Sequence, residues 1–374
     1  MKLSEFNFFT LSDENIALKP PYHRDECKLM VVHKKSETIE MFQQDASGKY
    51  LDGSNGEDKQ YLQFKNVLDY FHEGDTFILN DTKVFPARLY GTKEKTDAEI
   101  EVFLLRELNA RLKLWDVLVE PARKIRIGNK LFFNENSSIM AEVVDNTTSR
   151  GRTLRFLYDC DHDDFKKALY AMGKAPLPEY LTRLRETDDE DQEDFQCIFA
   201  KNEGAVTVPA SGIHFSREMM KRMEIRDINT AFVTLHTSLA SFNEIEVEDL
   251  SKHKTESEQM YIGSEACRII NATRDRGNHL IAVGTGAMRA IETAVGTDGY
   301  LKEFDGWTSK FIFPPYRFTL ADSMICNFYH PLSTLLMTQC AFGGFDIIKE
   351  AYLQALDNDF KFGCYGDAML IVND

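Results

Sequence analysis

The stretch His279-Leu-Ile-Ala-Val-Gly-Thr-Gly-Ala-Met-Arg-Ala-Ile-Glu292 decides the fold. Its apolar run, Leu280 to Val283, is typical of a strand that is buried on both faces of a sheet. Small residues follow at Gly284 to Gly286, and a helical pattern begins at once. Because a loop that leads into a helix leaves backbone N–H groups available for a ligand, we expect substrate to bind here. The alternative is an ordinary buried turn, since these glycines are only a fragment of the dinucleotide-binding fingerprint.

The composition is that of a folded, soluble chain. The 374 residues are 43% hydrophobic and 28% charged, which fits two or three globular domains and excludes a disordered protein. The N-terminal residues lack the long apolar core of an export signal, and no apolar run reaches membrane-spanning length. We therefore expect a cytoplasmic protein without a membrane partner. The seven cysteines are scattered singly, so we expect neither disulfide bonds nor a metal site.

The charge of the chain is unevenly distributed. The net charge of −16 argues against a nucleic-acid partner, because phosphate binding depends on Lys and Arg. Between residues 83 and 155, however, Lys and Arg outnumber Asp and Glu. A locally basic segment within an acidic protein is compatible with a nucleic-acid surface, and a solvated surface explains it nearly as well.

The spacing of apolar residues divides the chain into two kinds of sequence. Two apolar segments, Leu29 to His33 and Thr38 to Phe42, flank a polar link and predict a hairpin. From residue 76 to residue 158, short strands and turns follow one another at near-regular spacing, which is typical of a small barrel or sandwich. Helices and strands then alternate to the end of the chain. We therefore predict an α/β main domain, with a mixed sheet and helices, at 1–75 and 159–374, interrupted by a smaller all-β, barrel-like domain at 76–158.

Two polar stretches interrupt these patterns. Residues 45–58 are rich in Gly, Ser and Asp, which predicts a surface loop. Residues 186–194 are mostly Glu and Asp, which predicts a solvated loop or the start of a helix.

Five segments, in this order, carry a family resemblance. They are Asn80-Asp-Thr-Lys-Val-Phe-Pro-Ala-Arg-Leu-Tyr-Gly91, Glu203-Gly-Ala-Val-Thr-Val-Pro-Ala-Ser-Gly-Ile-His-Phe215, Phe232-Val-Thr-Leu-His236, Ala282-Val-Gly-Thr285 with Met288-Arg289, and Tyr365-Gly-Asp-Ala-Met369. Together they resemble the S-adenosylmethionine:tRNA ribosyltransferase-isomerases of the queuosine pathway. The resemblance extends over the whole chain.

The resemblance implies an unusual group transfer. The ribosyl part of S-adenosylmethionine, a co-substrate, moves to 7-aminomethyl-7-deazaguanine at a tRNA wobble position, and adenine and methionine are released. No metal is expected. Because a sulfonium acidifies the carbon beside it, this chemistry needs a base at that carbon, a proton donor for adenine and a pocket for methionine. The implied partners are S-adenosylmethionine and a tRNA with a modified wobble base, and we expect a monomer.

Histidines are the candidates for the catalytic base. His214 follows a run of small residues, and His236 closes an apolar strand, so either could face a pocket at a strand end. For each, a hydrogen-bonded structural histidine is an equal alternative. The substrate-binding candidates are Thr285, Arg289, Asn327, Tyr365 and Asp367. Arg289 could hold a carboxylate with its fork or form an ion pair on the helix surface, and Asp367 could bind substrate or form a turn.

Four basic residues are candidates for binding tRNA phosphates: Lys83, Arg88, Arg123 and Lys124. A solvated surface is an equal alternative for them.

Several positions depart from the family pattern. Threonines and glycines of that pattern are replaced, as is a histidine that would stand at 329, and the changed positions are Ala210, Ser211, Ser238, Ala240, Gly286, Tyr329 and His330. Two hypotheses follow. In the first, the chain is a working transferase-isomerase with a retuned pocket. In the second, it is a divergent paralog that keeps the fold and nucleoside or RNA binding but has lost or changed the reaction.

Overall fold

Residues 1–53, 59–133, 139–239 and 245–373 are described by a computed structural model. The chain divides into two units. The sheet unit comprises Met1–Lys83, Gln196–Asn202 and Val208–Asp374, and the barrel unit comprises Val84–Phe195 and Glu203–Thr207. Ala240 and residues 54–58 of the predicted surface loop lie outside the described residues.

Strands and helices alternate along much of the described chain. The strands are β1 (Leu29–His33), β2 (Thr38–Glu40), β3 (Thr76–Asn80), β4 (Thr82–Val84), β5 (Arg88–Lys93), β6 (Glu99–Asn109), β7 (Leu114–Glu120), β8 (Lys130–Phe132), β9 (Met140–Asn146), β10 (Gly151–Leu157), β11 (Asn202–Ala205), β12 (Asn229–Leu235), β13 (Glu258–Ile262), β14 (Leu280–Val283), β15 (Phe304–Thr308), β16 (Ser323–Asn327) and β17 (Ala368–Val372). The α-helices are α1 (His162–Met172), α2 (Glu179–Thr182), α3 (Asp191–Asp194), α4 (Ala210–Ile213), α5 (Arg217–Ile225), α6 (Ser264–Asp275), α7 (Gly284–Ala294), α8 (Thr334–Gly343) and α9 (Phe345–Asp357).

A large mixed sheet dominates the sheet unit. Over the described residues it has nine strands in the order β15-β13-β12-β3-β14-β16-β17-β1-β2. Strands β12, β3, β14 and β16 run parallel, whereas β13 is antiparallel to β12 and β17 is antiparallel to β16. The carboxyl ends of the four parallel strands and the amino ends of β13 and β17 therefore meet at one edge, which we call the carboxyl edge.

Helices cover both faces of the central strands. On one face, α6 and α7 pack against β12, β3 and β14, and the hydroxyls of Thr76 and Thr273 lie 2.7 Å apart. On the other face, a buried apolar cluster joins β3 and β14 to α5 and to a 3-10 helix at Phe64–Tyr70. Strands covered on both faces read as apolar runs, which is why β14 and β17 were predictable from sequence.

The stretch 279–292 forms the strand and helix that its sequence predicts. Strand β14 is fully buried, and α7 begins directly at its end. Gly284, the first residue of α7, has φ +84°. A residue with a side chain would pay about 1–2 kcal/mol for this left-handed conformation, so the turn depends on glycine.

The barrel unit is built from antiparallel strands. Within the described residues six of them close into a barrel in the order β10-β7-β6-β5-β8-β9. The predicted barrel-like element interrupting an α/β domain is therefore confirmed. Strands β4 and β11 form a separate two-stranded sheet.

Two details of the sequence reading were wrong. The run Phe77-Ile-Leu, placed with the barrel strands, belongs to β3 in the large sheet, where every residue is buried. An apolar run of this length does not reveal which sheet it joins. The acidic stretch 186–194 does start a helix, but Asp191 is not solvated: its side chain is fully buried and accepts hydrogen bonds from both terminal nitrogens of Arg185.

Membrane-spanning helices are absent from the described part of the chain. No helix there combines the length and the apolar character that crossing a bilayer requires.

Candidate functional site

The carboxyl edge gathers the predicted catalytic and substrate-binding residues of the sheet unit. His236 follows β12, Thr285 and Arg289 lie in α7 behind β14, and Asn327 ends β16. Tyr365 and Asp367 precede β17, which enters the sheet at this edge. His214, at the end of α4, joins them through a hydrogen bond to Asn327. Residues from widely separated parts of the sequence thus form one site.

Asn80 holds the end of β3 against the end of β12. Its Nδ2 donates to the Leu235 carbonyl at 2.9 Å, and its Oδ1 accepts from the Leu235 N–H at 3.0 Å. The side-chain amide therefore pairs with Leu235 as a neighbouring backbone would. A methyl group built on Gly286 would lie 3.3 Å from Asn80 Nδ2, so the start of α7 also packs against this amide.

His236 is a half-buried histidine whose ring is held by Thr82. The imidazole Nδ1 lies 2.8 Å from Thr82 Oγ1, and the His236 N–H continues the ladder to the Gln259 carbonyl. Beneath this pair, the buried Asp81 carboxylate accepts hydrogen bonds from Thr234 and Asn202. The sequence singled out His236 but assigned no role to Thr82 or Asp81, although both stand in the Asn80-Asp-Thr segment quoted for the resemblance.

His214 is a fully buried histidine with both ring nitrogens engaged. Its Nε2 lies 3.1 Å from Asn327 Oδ1, and its Nδ1 lies 3.2 Å from Cys27 Sγ. Asn327 uses its Nδ2 to donate to the carbonyls of Gly363 and Cys364, so Oδ1 must accept and His214 Nε2 must carry the hydrogen.

The lone pair of the His214 ring is therefore on Nδ1, where it accepts a hydrogen bond from the Cys27 thiol. Burial lowers the pKa of His214 to about 4, and burial, followed by Asp367 and Asp25, raises the pKa of Cys27. Both groups are thus neutral at pH 7, as this arrangement requires. The geometry favours the structural interpretation of His214, because its lone pair is already used inside the protein.

Arg289 and Glu258 form a buried ion pair beside the start of α7. Arg289 Nη1 donates to Glu258 Oε2 at 2.5 Å, and its Nε donates to the Lys310 carbonyl. The other oxygen of Glu258 accepts from the backbone and the hydroxyl of Ser238. Among the described residues, Arg289 Nη2 has no hydrogen-bond partner although it is buried. Arg289 therefore has one nitrogen, Nη2, available to donate to a ligand. The sequence had predicted that two guanidinium nitrogens would bind a carboxylate together.

Small hydroxyls surround the first turn of α7. Thr285 and Ser211 are both buried. Burial raises the pKa of Tyr329, while interactions with the hydroxyls of Ser211 and Thr285 act in the opposite direction. No described side chain caps α7, so its first N–H groups remain available at the same place.

Asp367 ties the segment before β17 to the start of β1. Its carboxylate oxygens accept the backbone N–H groups of Lys28 and Lys361, each at 2.7 Å. Burial raises the pKa of Asp367 to about 6, against the effect of these hydrogen bonds. This geometry favours the turn-forming role, and the neighbouring Tyr365 is buried.

The predicted tRNA-binding residues differ in how far they are already engaged. Arg88 pairs with Glu101 and donates to the Leu177 carbonyl, so its guanidinium is largely occupied within the barrel unit. Arg123 and Lys124 are exposed on a short 3-10 helix. The buried guanidinium of Arg152 holds this helix by donating to the carbonyls of Ala122 and Ile125. Lys83, in the sheet unit, is exposed.

Comparison with known proteins identifies the family. The family described as Queuosine biosynthesis protein matches residues 3–371. Proteins named S-adenosylmethionine:tRNA ribosyltransferase-isomerase from Phocaeicola vulgatus and Parabacteroides distasonis are 62% and 59% identical, each over 100% of both chains. A crystal structure of S-adenosylmethionine tRNA ribosyltransferase from Thermotoga maritima is 28% identical, covers 98% of this chain and 100% of its own, and has a TM-score of 0.52.

These matches confirm the resemblance seen in the sequence. The protein is an enzyme of tRNA modification in queuosine biosynthesis. The chain belongs to the S-adenosylmethionine:tRNA ribosyltransferase-isomerase family.

Replacing His214 by Gln should change how stability depends on pH. A histidine whose folded pKa of about 4 lies below the unfolded value of 6.5 stabilises the fold fully above pH 6.5 and loses that contribution as the pH falls towards 4. Between these values the wild-type free energy of unfolding should fall by up to about 1.4 kcal/mol per pH unit more than that of His214→Gln. Urea denaturation of both proteins from pH 7.5 to 5 measures the difference, and parallel curves would contradict the neutral, buried imidazole.

Proposed function

We propose that the enzyme transfers and isomerises the ribosyl moiety of S-adenosylmethionine to 7-aminomethyl-7-deazaguanine in tRNA. The products are epoxyqueuosine-tRNA, adenine and methionine. The observation that carries the proposal is the carboxyl edge itself, where Asn80 separates the half-buried His236 from the uncapped start of α7. One side of this site supplies a base and the other supplies donors for an anion.

His236 is the group that acts on the ribosyl carbon next to the sulfonium. Thr82 Oγ1 lies 2.8 Å from His236 Nδ1 and 3.5 Å from the Asn202 carbonyl oxygen. In the proposed arrangement the hydroxyl donates to that carbonyl, and its oxygen accepts the Nδ1 hydrogen of His236. In that tautomer the lone pair is on Nε2, the ring nitrogen that we assign as the base. In this proposal the two histidines hold their hydrogens on opposite ring nitrogens, His214 on Nε2 and His236 on Nδ1.

The methionine carboxylate binds at the start of α7. The uncapped N–H groups of its first turn carry the partial positive charge of a helix N-terminus. The remaining donor of Arg289, Nη2, and the hydroxyl of Ser211 add to this site. Glu258 keeps Arg289 in place and is itself satisfied by Ser238.

We favour a working enzyme over a divergent paralog. A relative that is 62% identical over the whole chain bears the name of the enzyme. Two departures also have evident places in the scaffold, since Ser238 binds Glu258 and Gly286 leaves room for Asn80. Altered motifs at these positions are compatible with a working site.

Adenine release from S-adenosylmethionine tests the proposal. We expect the purified protein to release adenine only with tRNA that carries the deazaguanine precursor. His236→Gln should slow release by about 100-fold or more, because general-base catalysis contributes a factor of this size. His72→Gln, which removes an exposed histidine, is the matched control and should leave the rate unchanged.

Each component of the proposal can fail separately. No release by the wild type, beside an active family member as a positive control, would contradict the proposed reaction. If His236→Gln released adenine at the normal rate and a folded His214→Gln variant released none, His214 and not His236 would be the base.

The exposed basic pair of the barrel unit should contribute to tRNA binding. Neutralising Arg123 and Lys124 to Gln should weaken tRNA binding and lower the slope of log K against log salt by roughly one for each phosphate that the variant no longer binds. The variant Arg111→Gln/Arg155→Gln removes the same charge from exposed positions of the same unit. Equal slopes for the two variants, measured by filter binding or fluorescence anisotropy, would show that only overall charge matters.

A further inference from the structure

The β12–β13–β15 end of the large sheet has one face covered by helices and one face open. Helices α6 and α7 cover the first face, where Val233, Leu235 and Met260 are buried. On the other face, β13 and β15 expose alternate side chains, and β12 exposes Phe232, whereas Thr234 of β12 is buried. Such an open face normally carries polar residues, because antiparallel strands at a sheet end alternate between core and solvent.

The open face instead carries large aromatic side chains. Phe232, Tyr261 and Trp307 are 38%, 52% and 49% exposed. Tyr261 stands opposite Thr234, which follows Phe232 on the same side of β12, so the two rings are diagonal neighbours on one face. Trp307, in β15, stands opposite Gln259. Exposed aromatic patches of this kind mark interaction sites more often than isolated exposed side chains do.

The same face leads to the proposed catalytic histidine. His236 continues β12 by pairing with Gln259, and it lies four residues beyond Phe232, on the same side of the strand. At about 3.3 Å per residue the separation between their Cα atoms is roughly 13 Å. Tyr261 lies between them on the neighbouring strand.

Two exposed lysines belong to the chain segments next to this row on the β3 side. Lys201 donates its backbone N–H to the Asp81 carbonyl, and Lys83 follows Thr82, which holds His236. Both lysine side chains are exposed. The ring of Phe199, two residues before Lys201, lies 5.8 Å from the ring of Phe232. Asp305, on the far strand β15, is the exposed acidic residue opposite Tyr261.

We infer that this face binds unpaired RNA nucleobases, which stack on Phe232 and Tyr261 while the adjoining phosphates follow Lys83 and Lys201. A sheet face with exposed aromatic rings is a common platform for single-stranded RNA, since every base offers a flat face to stack. The lysines place the phosphates on the β3 side and Asp305 repels them from the other side. The inference rests on the proposed function, because the RNA bound on this face would be the tRNA loop whose modified base reaches His236.

Binding of an anticodon stem–loop tests the surface without turnover. Tyr261→Ala should raise the Kd for the stem–loop about tenfold, and Phe232→Ala/Tyr261→Ala about a hundredfold. The salt dependence of binding should be unchanged in both, whereas Lys83→Gln and Lys201→Gln should each lower its slope by roughly one. A fully paired RNA duplex, without loop bases, should bind wild type and ring variants alike.

Two further variants separate stacking from folding. Tyr261→Phe keeps the ring and should bind the stem–loop like the wild type. Tyr22→Ala removes a ring that is 96% exposed elsewhere in the sheet unit and should have no effect. Unchanged binding of S-adenosylmethionine would show that the ring variants keep an intact site.

The possible outcomes distinguish failure of the proposed RNA-binding face from failure of the proposed reaction. If the double ring variant bound the stem–loop within about twofold of the wild-type affinity, the proposed RNA-binding face would be contradicted, even if adenine release were normal. Ring-dependent RNA binding without adenine release by the wild type would support the surface and contradict the proposed reaction. If the ring variants instead changed only the oligomeric state in sedimentation, the face would be a contact between copies of the chain and the inference would be wrong.

Discussion

The side-chain amide of Asn80 is the interaction on which the candidate site depends. Where β3 and β12 end, the amide pairs with both backbone groups of Leu235, which a strand end otherwise leaves for water. A buried amide or peptide group without its partner costs about 1–3 kcal/mol, so the two strand ends stay in register. This contact positions His236 one residue beyond Leu235. It also explains the fit of Gly286, whose lack of a side chain leaves room for the amide.

The two candidate histidines separate in role once their partners are known. His214 packs against Phe64 and the thiol of Cys27, and burial keeps it neutral. Its hydrogen bonds connect the end of α4 to β16 and to the segment before β1, and Asn327 extends this connection to the segment before β17. His236 has a backbone contact and a hydroxyl to hold it, but its ring remains partly accessible. Burial and hydrogen-bond partners, not residue type, distinguish the two.

Much of the fold was predictable because it rests on local patterns. The apolar run before Gly284 predicted β14 and α7, and the series of short strands predicted the barrel. Strand β13 was missed because it begins with Glu258, whose burial depends on Arg289, 31 residues away in the sequence. Strand β15 was missed because Asp305 and Gly306 interrupt its pattern. The assignment of β3 to the barrel failed because strand pairing is set by long-range packing.

The sequence offered candidates for the site but not their contacts. The family segments contain His214 and His236, and Asn327 was a substrate-binding candidate. The bond from His214 to Cys27 spans 187 residues and the bond to Asn327 spans 113, so neither partner was visible in sequence. Thr82 was present in a quoted segment, yet its function depends on the strand order that brings β3 beside β12. Roles of this kind require the tertiary structure.

Nitrogen-15 NMR of the histidine side chains tests the central claim most directly. In protein labelled with ¹⁵N-histidine and assigned with the His214→Gln and His236→Gln variants, the account predicts that His214 is the neutral Nε2–H tautomer at pH 6 and does not respond to S-adenosylmethionine. The His236 signals should shift when S-adenosylmethionine is added. A His214 ring that protonates near pH 6.5, or that responds to the ligand while His236 does not, would contradict the account.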